Sequence, residues 1–549
     1  MRPAEDPRDL AGHQPTRSPA MTPSPGTRRE DSKLFRSLGL AQDVKPLNVL
    51  AYLASSFVSV SSLVFISAST SFVLTAVIHL PADRIGRTNG ALILLDELVA
   101  LPAVLVWGRL ADIYGYRTVT VIGHLAVAIS LSIYIQSRFE YQLFLCRVIL
   151  SIGFAALTTM LSTILASMTA ARLPPPIPAA CEESANSADE RGNLISRIKK
   201  RSLIVSQRSS RLSGLIGFTS GLGALFGVFF LLRLPSYFAS WSHSPVREAL
   251  ESGVRASFYV ASTIAFLTSI LMVFGLCRRG ENVWPIKIPS SNPSTHWKTS
   301  IQALTLGFKL IKQHRHLIVA YAAGFAARAT TIGVTGYIPV FVNQYYISTG
   351  QCQLDRPDAP ADEVKKGCHA AFALASALTG TVQLSALLLS PVVGWMASVY
   401  PQPRILAVSN ILSALGFLAF GLLPRPNYFL VWPTCILLGL SQITGIVVSL
   451  SLCASCRWQI FHSESAIARQ SESTPLIPHP LPSDRPPPLQ DISGAIAGVY
   501  SLAGGLGILL GSFGGILSDW SPRAPFFLTG GIASLAGLVC ILAGHPVDI

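Results

Sequence analysis

Two acids and one arginine lie inside long apolar stretches, where an acid beside an arginine can bind and release a proton. Asp96 and Glu97 are adjacent in ALILLDELVALPAVLVWG, and Arg147 lies two apolar stretches later. If these stretches are helices that cross the same layer, the acids lie about 12–13 Å and Arg147 about 9 Å from the same end, at 1.5 Å per residue. We expect Arg147 to pair with one acid, while the other, turned by about 100°, faces a cavity. The group is either a proton-coupling site or a structural ion pair.

A fourth charge, Arg328, lies in the middle of LIVAYAAGFAARATTIGVTG. The apolar stretches from Leu317 to Leu452 contain no Asp or Glu. The partner of Arg328 is therefore an acid from the first half of the chain, water, or an anionic group of a ligand. An arginine can bind such an anionic group with two hydrogen bonds. Gln383 is a second substrate-binding candidate, or a donor between two helices. Ser62 lies with other serines on one helix face, where the hydroxyls line a cavity or bond back to their own helix.

The apolar stretches are long enough to cross a bilayer. Of 549 residues, 50% are apolar and 13% charged, about half the charged share of a soluble domain. The apolar residues occur in blocks of about twenty, as a helix crossing about 30 Å requires, and lack the alternation of barrel strands. The sequence therefore predicts an all-α membrane protein. Its twelve transmembrane helices are expected at 47–79, 88–108, 118–136, 141–170, 212–232, 256–276, 317–342, 370–396, 405–423, 428–452, 493–517 and 525–543.

Basic residues are unequally divided between the two sides. The loops on the N-terminal side hold 29 of the 42 Lys and Arg residues, and the opposite loops hold 11. Because such residues are retained in the cytoplasm, we expect both termini to be cytoplasmic. The net charge of +14 then reflects topology rather than nucleic-acid binding. The segment ESTPLI at 472–477 resembles a dileucine sorting signal. The protein is therefore expected in the vacuolar membrane or the plasma membrane.

The chain is expected to have four regions, a disordered basic tail at 1–45, a six-helix half at 46–276, a cytoplasmic central loop at 277–316 and a second six-helix half at 317–549. Pro- and Ser-rich composition predicts disorder in the loops at 172–211 and 455–491 as well. The amphipathic segment His296–Gln313 of the central loop lies in the membrane surface or packs as a connecting helix.

The two halves resemble each other in sequence. GLGALFG (Gly221–Gly227) in the fifth stretch matches GLGILLG (Gly505–Gly511) in the eleventh. GRLADIY after the second stretch likewise matches GWMASVY after the eighth. Matches in the same order at corresponding helices indicate two six-helix pseudo-repeats. Paired repeats of this kind enclose a cavity near the membrane midplane.

The segment GRLADIYGYR resembles the signature between the second and third helices of the major facilitator superfamily. The match includes Gly108, Asp112, Gly115 and Arg117, whereas Ile113 stands where a basic residue is usual. The resemblance covers nearly the whole chain from residue 46 and implies twelve helices around a transport pathway. In a tight cytoplasmic loop, Asp112 can approach the N-terminus of a neighbouring helix and hold one state closed. We therefore interpret these four matching residues as a conformational switch.

The fourth stretch narrows the resemblance. Arg147, followed by Ser151 and Gly153, is similar to the arginine–glycine pattern of proton-coupled members, and drug:proton antiporters are the nearest subgroup. Their Gly-Pro pair in the fifth helix is missing, since no proline lies between Ser213 and Leu234. Antiport and symport therefore both stay open.

Cysteine and motif patterns bear on other kinds of site. Cys352 and Cys368 share one loop on the non-cytoplasmic side and are a possible disulfide if that side is oxidising. Cys453 and Cys456 form a CxxC without the second pair that a zinc site needs. No phosphate loop, nucleophile elbow or HExxH motif occurs. We therefore expect no enzyme activity, no cofactor and no metal site.

These features predict a secondary active transporter of a small organic solute. It would work by alternating access and be coupled to protons through Asp96, Glu97 and Arg147, with the substrate, protons and the lipid bilayer as its partners. We expect a monomer, and a substrate with an anionic group near Arg328. The competing hypothesis is a non-transporting membrane sensor or scaffold of the same fold, which signals through its cytoplasmic tail and loops.

Overall fold

The part of the chain that the structure describes folds into twelve long helices, which confirms the predicted all-α class. The computed structural model describes residues 40, 44–78, 80, 82–169, 187–241, 246–277, 305, 308–350, 369–472, 493–518 and 520–544. Because lipid cannot hydrogen-bond to the backbone, each segment satisfies its N–H and C=O groups within its own helix. The helices are α1 (Pro46–Ala76), α2 (Ala82–Tyr114), α3 (Tyr116–Tyr134), α4 (Glu140–Thr169), α5 (Ser187–Phe229), α6 (Val246–Gly275), α7 (Arg315–Ile332), α8 (His369–Val399), α9 (Gln402–Leu422), α10 (Val431–Glu472), α11 (Ser493–Ser512) and α12 (Ala524–Ala543).

Glycines bring helices together at equivalent places in the two halves. Gly223 of α5 packs against the backbone of α1 at Phe57, and Gly507 of α11 packs against the backbone of α7 at Phe325. One turn further along, a second glycine in each helix repeats the contact. Small residues at such positions allow helix backbones to approach closely. The two six-helix pseudo-repeats of the sequence therefore correspond to two repeats of helix packing.

Two helices continue where the sequence predicted disorder, and that prediction is wrong for the residues concerned. α5 begins at Ser187, so that 187–211 is helical, and α10 continues to Glu472 through much of the 455–491 loop. Neither helix contains a proline after its first turn, so nothing in the backbone ends it early. Both extensions also bury apolar side chains, such as Val205 and Trp458, which are 0% and 5% exposed. Packing against the other half therefore outweighs the polar composition. The tail at 1–39 and the rest of these loops lie outside the described residues.

α7 is interrupted shortly after Arg328. A π-helix at Gly333–Tyr337 follows α7 and leads into a further helix at Ile338–Ser348. Pro339 has no N–H to donate to the preceding turn, which favours the wider turn at this point. Such π-turns are frequent at functional sites. The interruption was not predicted from the apolar pattern, which is continuous across it.

The end of the central loop packs against the second half. Residues 308–313 are helical, and residue 314 separates them from α7. Leu310 is only 2% exposed and lies in the core of the second half. Lys309 and Lys312 are exposed on the same segment. For these residues the structure supports the packed connecting segment.

Candidate functional site at the interface of the two halves

Arg147 pairs with Asp96, one of the two acids that its similar depth predicted as partners. Its Nε donates to the Asp96 carboxylate oxygens at 2.9 and 2.7 Å, and its Nη2 lies 2.7 Å from Oδ2. The Arg147 side chain is 3% exposed and the Asp96 side chain 25%. Nη1 also donates to the Thr70 hydroxyl at 3.4 Å, and the Ser151 hydroxyl donates to the Asp96 carbonyl at 2.7 Å. These bonds join α1, α2 and α4 of the first half.

Glu97, the neighbouring acid, faces the second half instead. It interacts electrostatically with Arg328 of α7 across the interface. Glu97 and Arg328 are both half-buried. Neither side chain forms a hydrogen bond or an ion pair with another residue that the structure describes. The two lie on either side of adjacent glycines in α11. A Cβ built at Gly504 would lie 3.3 Å from the Arg328 side chain, and one built at Gly505 would lie 4.0 Å from Glu97 Oε2. A side chain at Gly504 would therefore press against Arg328, whereas one at Gly505 would meet Leu101 at 2.8 Å before it reached Glu97.

Asp112 caps the first turn of α11, which belongs to the other half. One carboxylate oxygen accepts the backbone N–H of Gly494, and the other accepts that of Ala495 at 3.0 Å. Gly108 lies against the backbone at Gly494, where a Cβ would not fit. Gly115 has a φ of +88°, a conformation that favours glycine, and forms the turn between α2 and α3. An acid at a helix N-terminus satisfies free N–H groups and the positive end of the helix dipole.

Arg117 and Arg457 form further contacts at this end of the bundle. Arg117 donates to the carbonyl of Val273 and so ties α3 to α6. Arg457 of α10 is 5% exposed, interacts electrostatically with Asp112, and donates from Nη1 to the Ser162 carbonyl of α4 at 3.1 Å. Arg457 was not predicted as a site residue, because it lies in a segment interpreted as a disordered loop.

A hydrogen-bond network without an acidic residue occupies the equivalent place on the other side of the interface. Gln402 at the start of α9 donates to the hydroxyls of Ser210 and Ser451, at 2.7 and 2.8 Å. Ser398, which stands where the repeated motif has lost its acid, accepts from Arg211 Nε at 3.3 Å. Helix α5 has no N-terminus here because it begins at Ser187, more than twenty residues earlier, so an acid would have no helix end to cap. Side-chain hydrogen bonds join the halves instead.

All hydrogen bonds between the two halves, among the residues that the structure describes, lie toward the end of the bundle where α1 begins. We call this end the N-terminal face. The halves are therefore joined at the N-terminal face, and the Glu97–Arg328 region lies on the inner side of that closure.

The other predicted substrate-binding residues are not joined to this charged group. Gln383 of α8 is half-buried and makes no hydrogen bond to a described residue. Ser62 of α1 is 3% exposed. On the same helix face, Ser59 and Ser69 donate to carbonyls of their own helix at 3.1 and 2.6 Å, as the alternative interpretation held.

The cysteines form no site within the described part of the chain. Cys453 and Cys456 are buried free thiols, and no group of three potential metal ligands occurs among the described residues. Cys352 and Cys368, the possible disulfide, lie outside the described ranges.

Comparison with known proteins gives structural matches only. No protein-family model matches the sequence, and no curated protein matches it. The major facilitator superfamily proton:xylose symporter XylE has a TM-score of 0.55 at 12% identity, with 90% of this chain and 94% of that chain covered. The superfamily transporter FucP, solved in the outward conformation, has a TM-score of 0.56 at 12% identity, with 91% and 99% covered. The human organic anion transporter MFSD10 has a TM-score of 0.50 at 14% identity, with 90% and 100% covered. The chain therefore has the fold of the major facilitator superfamily transporters.

Proposed function

We propose that the protein is a secondary active transporter of a small organic anion, driven by a proton gradient. The observation that carries the proposal is the pair of opposite charges, Glu97 and Arg328, which come from different pseudo-symmetric halves and lie beside adjacent glycines of α11 without forming an ion pair. Ionisable residues within a membrane are costly and mark transport pathways. Transporters built from repeats bind substrate at the interface of the repeats. The same fold serves a proton:xylose symporter and an organic anion transporter.

Glu97 and Arg328 suggest how proton and substrate are linked. When Glu97 is ionised it partly neutralises Arg328 and competes with any other anion for it. When Glu97 takes up a proton, Arg328 becomes available to an anionic group of the substrate. Proton and anion then bind together, which favours symport over antiport. The ion pair of Asp96 with Arg147 holds α2 against α4 and so fixes the position of Glu97, the next residue of α2.

The orientation of the protein follows from the distribution of basic residues. The excess of Lys and Arg on the N-terminal side supports cytoplasmic termini. The contacts of Asp112 and Arg457 would then close the cytoplasmic side, leaving the substrate site accessible from the opposite side. A vacuolar or plasma membrane and a monomeric state remain part of the proposal.

The decisive experiment is flux measured in proteoliposomes. A panel of organic anions, cations and neutral solutes is offered to the purified full-length protein with and without an imposed pH gradient. We expect anions to accumulate against their gradient only when the pH gradient is present. Saturable binding without flux would instead support the sensor hypothesis.

The Asp112→Asn variant should open the N-terminal face. Asparagine has one acceptor oxygen where the carboxylate offers two, and it brings no charge to the helix dipole. Loss of a hydrogen bond to a charged group costs about 1.5–3 kcal/mol, which corresponds to an increase of about 10–100-fold in the population of the open state. A cysteine introduced at buried Ser162, with the native cysteines replaced, should react correspondingly faster with a maleimide. Transport should fall while substrate affinity changes by a few-fold at most; equal losses of both would contradict the switch role.

Arg328 should determine the charge preference of the substrate site. An Arg328→Lys variant keeps the charge but loses bidentate hydrogen bonding, and Arg328→Ala loses both. We expect affinity for the best anion to fall about 10–100-fold in Arg328→Ala and less in Arg328→Lys, as measured by titration calorimetry. Arg425, in an exposed loop of the second half, provides the matched control for a lost positive charge. Unchanged affinity in Arg328→Ala, or a preference for cations, would show that Arg328 is structural.

A further inference from the structure

An apolar groove opens on the second half near the N-terminal face. It has a volume of about 340 Å³ and is bounded by 308–313, α7, α11 and α12. Phe308 and Leu506 line it and are each 44% exposed. Tyr321 is the one lining residue with a polar side-chain atom, and its hydroxyl donates to the Ile496 carbonyl at 3.2 Å, so that only its ring faces the groove. The lining therefore offers contacts to hydrocarbon and no free polar group.

Basic side chains stand beside the groove. Lys309, Lys312 and Arg315 are exposed, and none of them forms a salt bridge with a described residue. No Asp or Glu occurs in the sequence from Asn282 to Leu354. The positive charge of this segment is therefore not compensated locally.

The packing of the segment fixes these charges relative to the groove. Leu310 is 2% exposed in the core of the second half. Its neighbours Phe308 and Ile311 line the groove, whereas Lys309 and Lys312 point to the surface. The two lysines are three residues apart and so lie on one face of a helical turn. A molecule that fills the groove would thus have its end beside the cations.

We propose that this groove binds an acyl chain of an anionic phospholipid, whose phosphate lies against Lys309, Lys312 and Arg315. The apolar lining matches the chain, and the unpaired cations match the headgroup. A zwitterionic lipid would gain from the groove but less from the cations, and a soluble phosphate would gain from the cations alone. The site is independent of the transport proposal, since it requires only that the protein lies in a bilayer.

Native mass spectrometry of the full-length protein in detergent tests the proposal by titration with phosphatidylglycerol and phosphatidylcholine of identical chains. We expect one phosphatidylglycerol to bind at least tenfold more tightly than phosphatidylcholine. Each of Lys309→Gln, Lys312→Gln and Arg315→Gln should lower phosphatidylglycerol affinity about fivefold and leave phosphatidylcholine unchanged. Lys200→Gln, which removes an exposed lysine from α5 at the same face, is the matched control and should have no effect.

A second variant tests the groove itself. Ala322→Phe places a ring in the groove from α7 and should lower the affinity for both lipids. Equal affinity for the two lipids, or an equal loss of phosphatidylglycerol binding in Lys200→Gln, would overturn the proposal. Glycerol phosphate competing as effectively as the lipid would overturn it too, because it would show an anion site that does not use the groove.

Discussion

The Glu97→Gln variant is expected to lose all uphill accumulation of substrate while it keeps exchange of substrate across the membrane. Glutamine has nearly the shape of the protonated acid but cannot release a proton, so Arg328 stays available to the substrate in both states. The halves can still rock with substrate bound, but no proton moves with it. In proteoliposomes, a pH gradient should drive no net uptake, whereas preloaded unlabelled substrate should still exchange for labelled substrate outside.

The matched control is Glu251→Gln. Glu251 pairs with Arg255 at 2.8 Å in a partly exposed position of α6, away from the interface of the two halves. This variant should accumulate substrate as the wild type does. If Glu97→Gln also accumulates substrate normally, the proton carrier lies elsewhere in the protein.

The sequence predicted the depth at which the partner of Arg147 lies, but not which of two adjacent acids it is. Helices that cross the same bilayer bring residues at equal depths into reach, and this narrowed the partner to Asp96 or Glu97. The choice between adjacent residues depends on the rotation of α2 about its axis. That rotation is set by tertiary contacts such as the bond from Trp107 Nε1 to the Ile152 carbonyl of α4 at 2.9 Å. No local pattern in α2 specifies it.

Arg328 shows the same limit. The lack of acids in the neighbouring stretches limited the partner of Arg328 to an acid of the first half, water or the ligand, and Glu97 is the acid of the first half that interacts with it electrostatically. The adjacent glycines Gly504 and Gly505 of α11 lie beside the two charges, but the sequence marks them only as part of the repeated glycine pattern.

The network around Gln402 could not be predicted. Ser210 and Ser451 are ordinary polar residues in three-dimensional contact but far apart in sequence. The segment GWMASVY has Ser398 where GRLADIY has Asp112, and this difference does not specify which contact takes the place of the helix cap. The full lengths of α5 and α10 were not predicted for a related reason. Polar composition reports only on the segment itself, whereas the extensions of these helices are stabilised by packing between the halves.

The ion pair between α2 and α4 should act as a unit when the protein unfolds. Asp96→Asn leaves Arg147, whose side chain is 3% exposed, without its counter-charge. Removing one partner of a buried pair costs about 3–5 kcal/mol because the other charge stays desolvated. We expect the free energy of unfolding to fall by about this amount for Asp96→Asn, measured by equilibrium unfolding in mixed micelles, and by much less for Asp96→Glu.

Removing both charges separates the structural role of the pair from a role in proton coupling. Replacing buried ion pairs with apolar residues is often neutral or stabilising, so Asp96→Leu combined with Arg147→Leu should recover most of the stability that Asp96→Asn loses. The double-mutant cycle then gives the coupling energy of the pair. Additive losses in the double variant would contradict the coupling seen in the geometry.

If the double variant is stable and still concentrates substrate, the pair only holds α2 and α4 together, and Glu97 alone carries the proton. If it is stable but only exchanges substrate, Asp96 and Arg147 belong to the proton pathway.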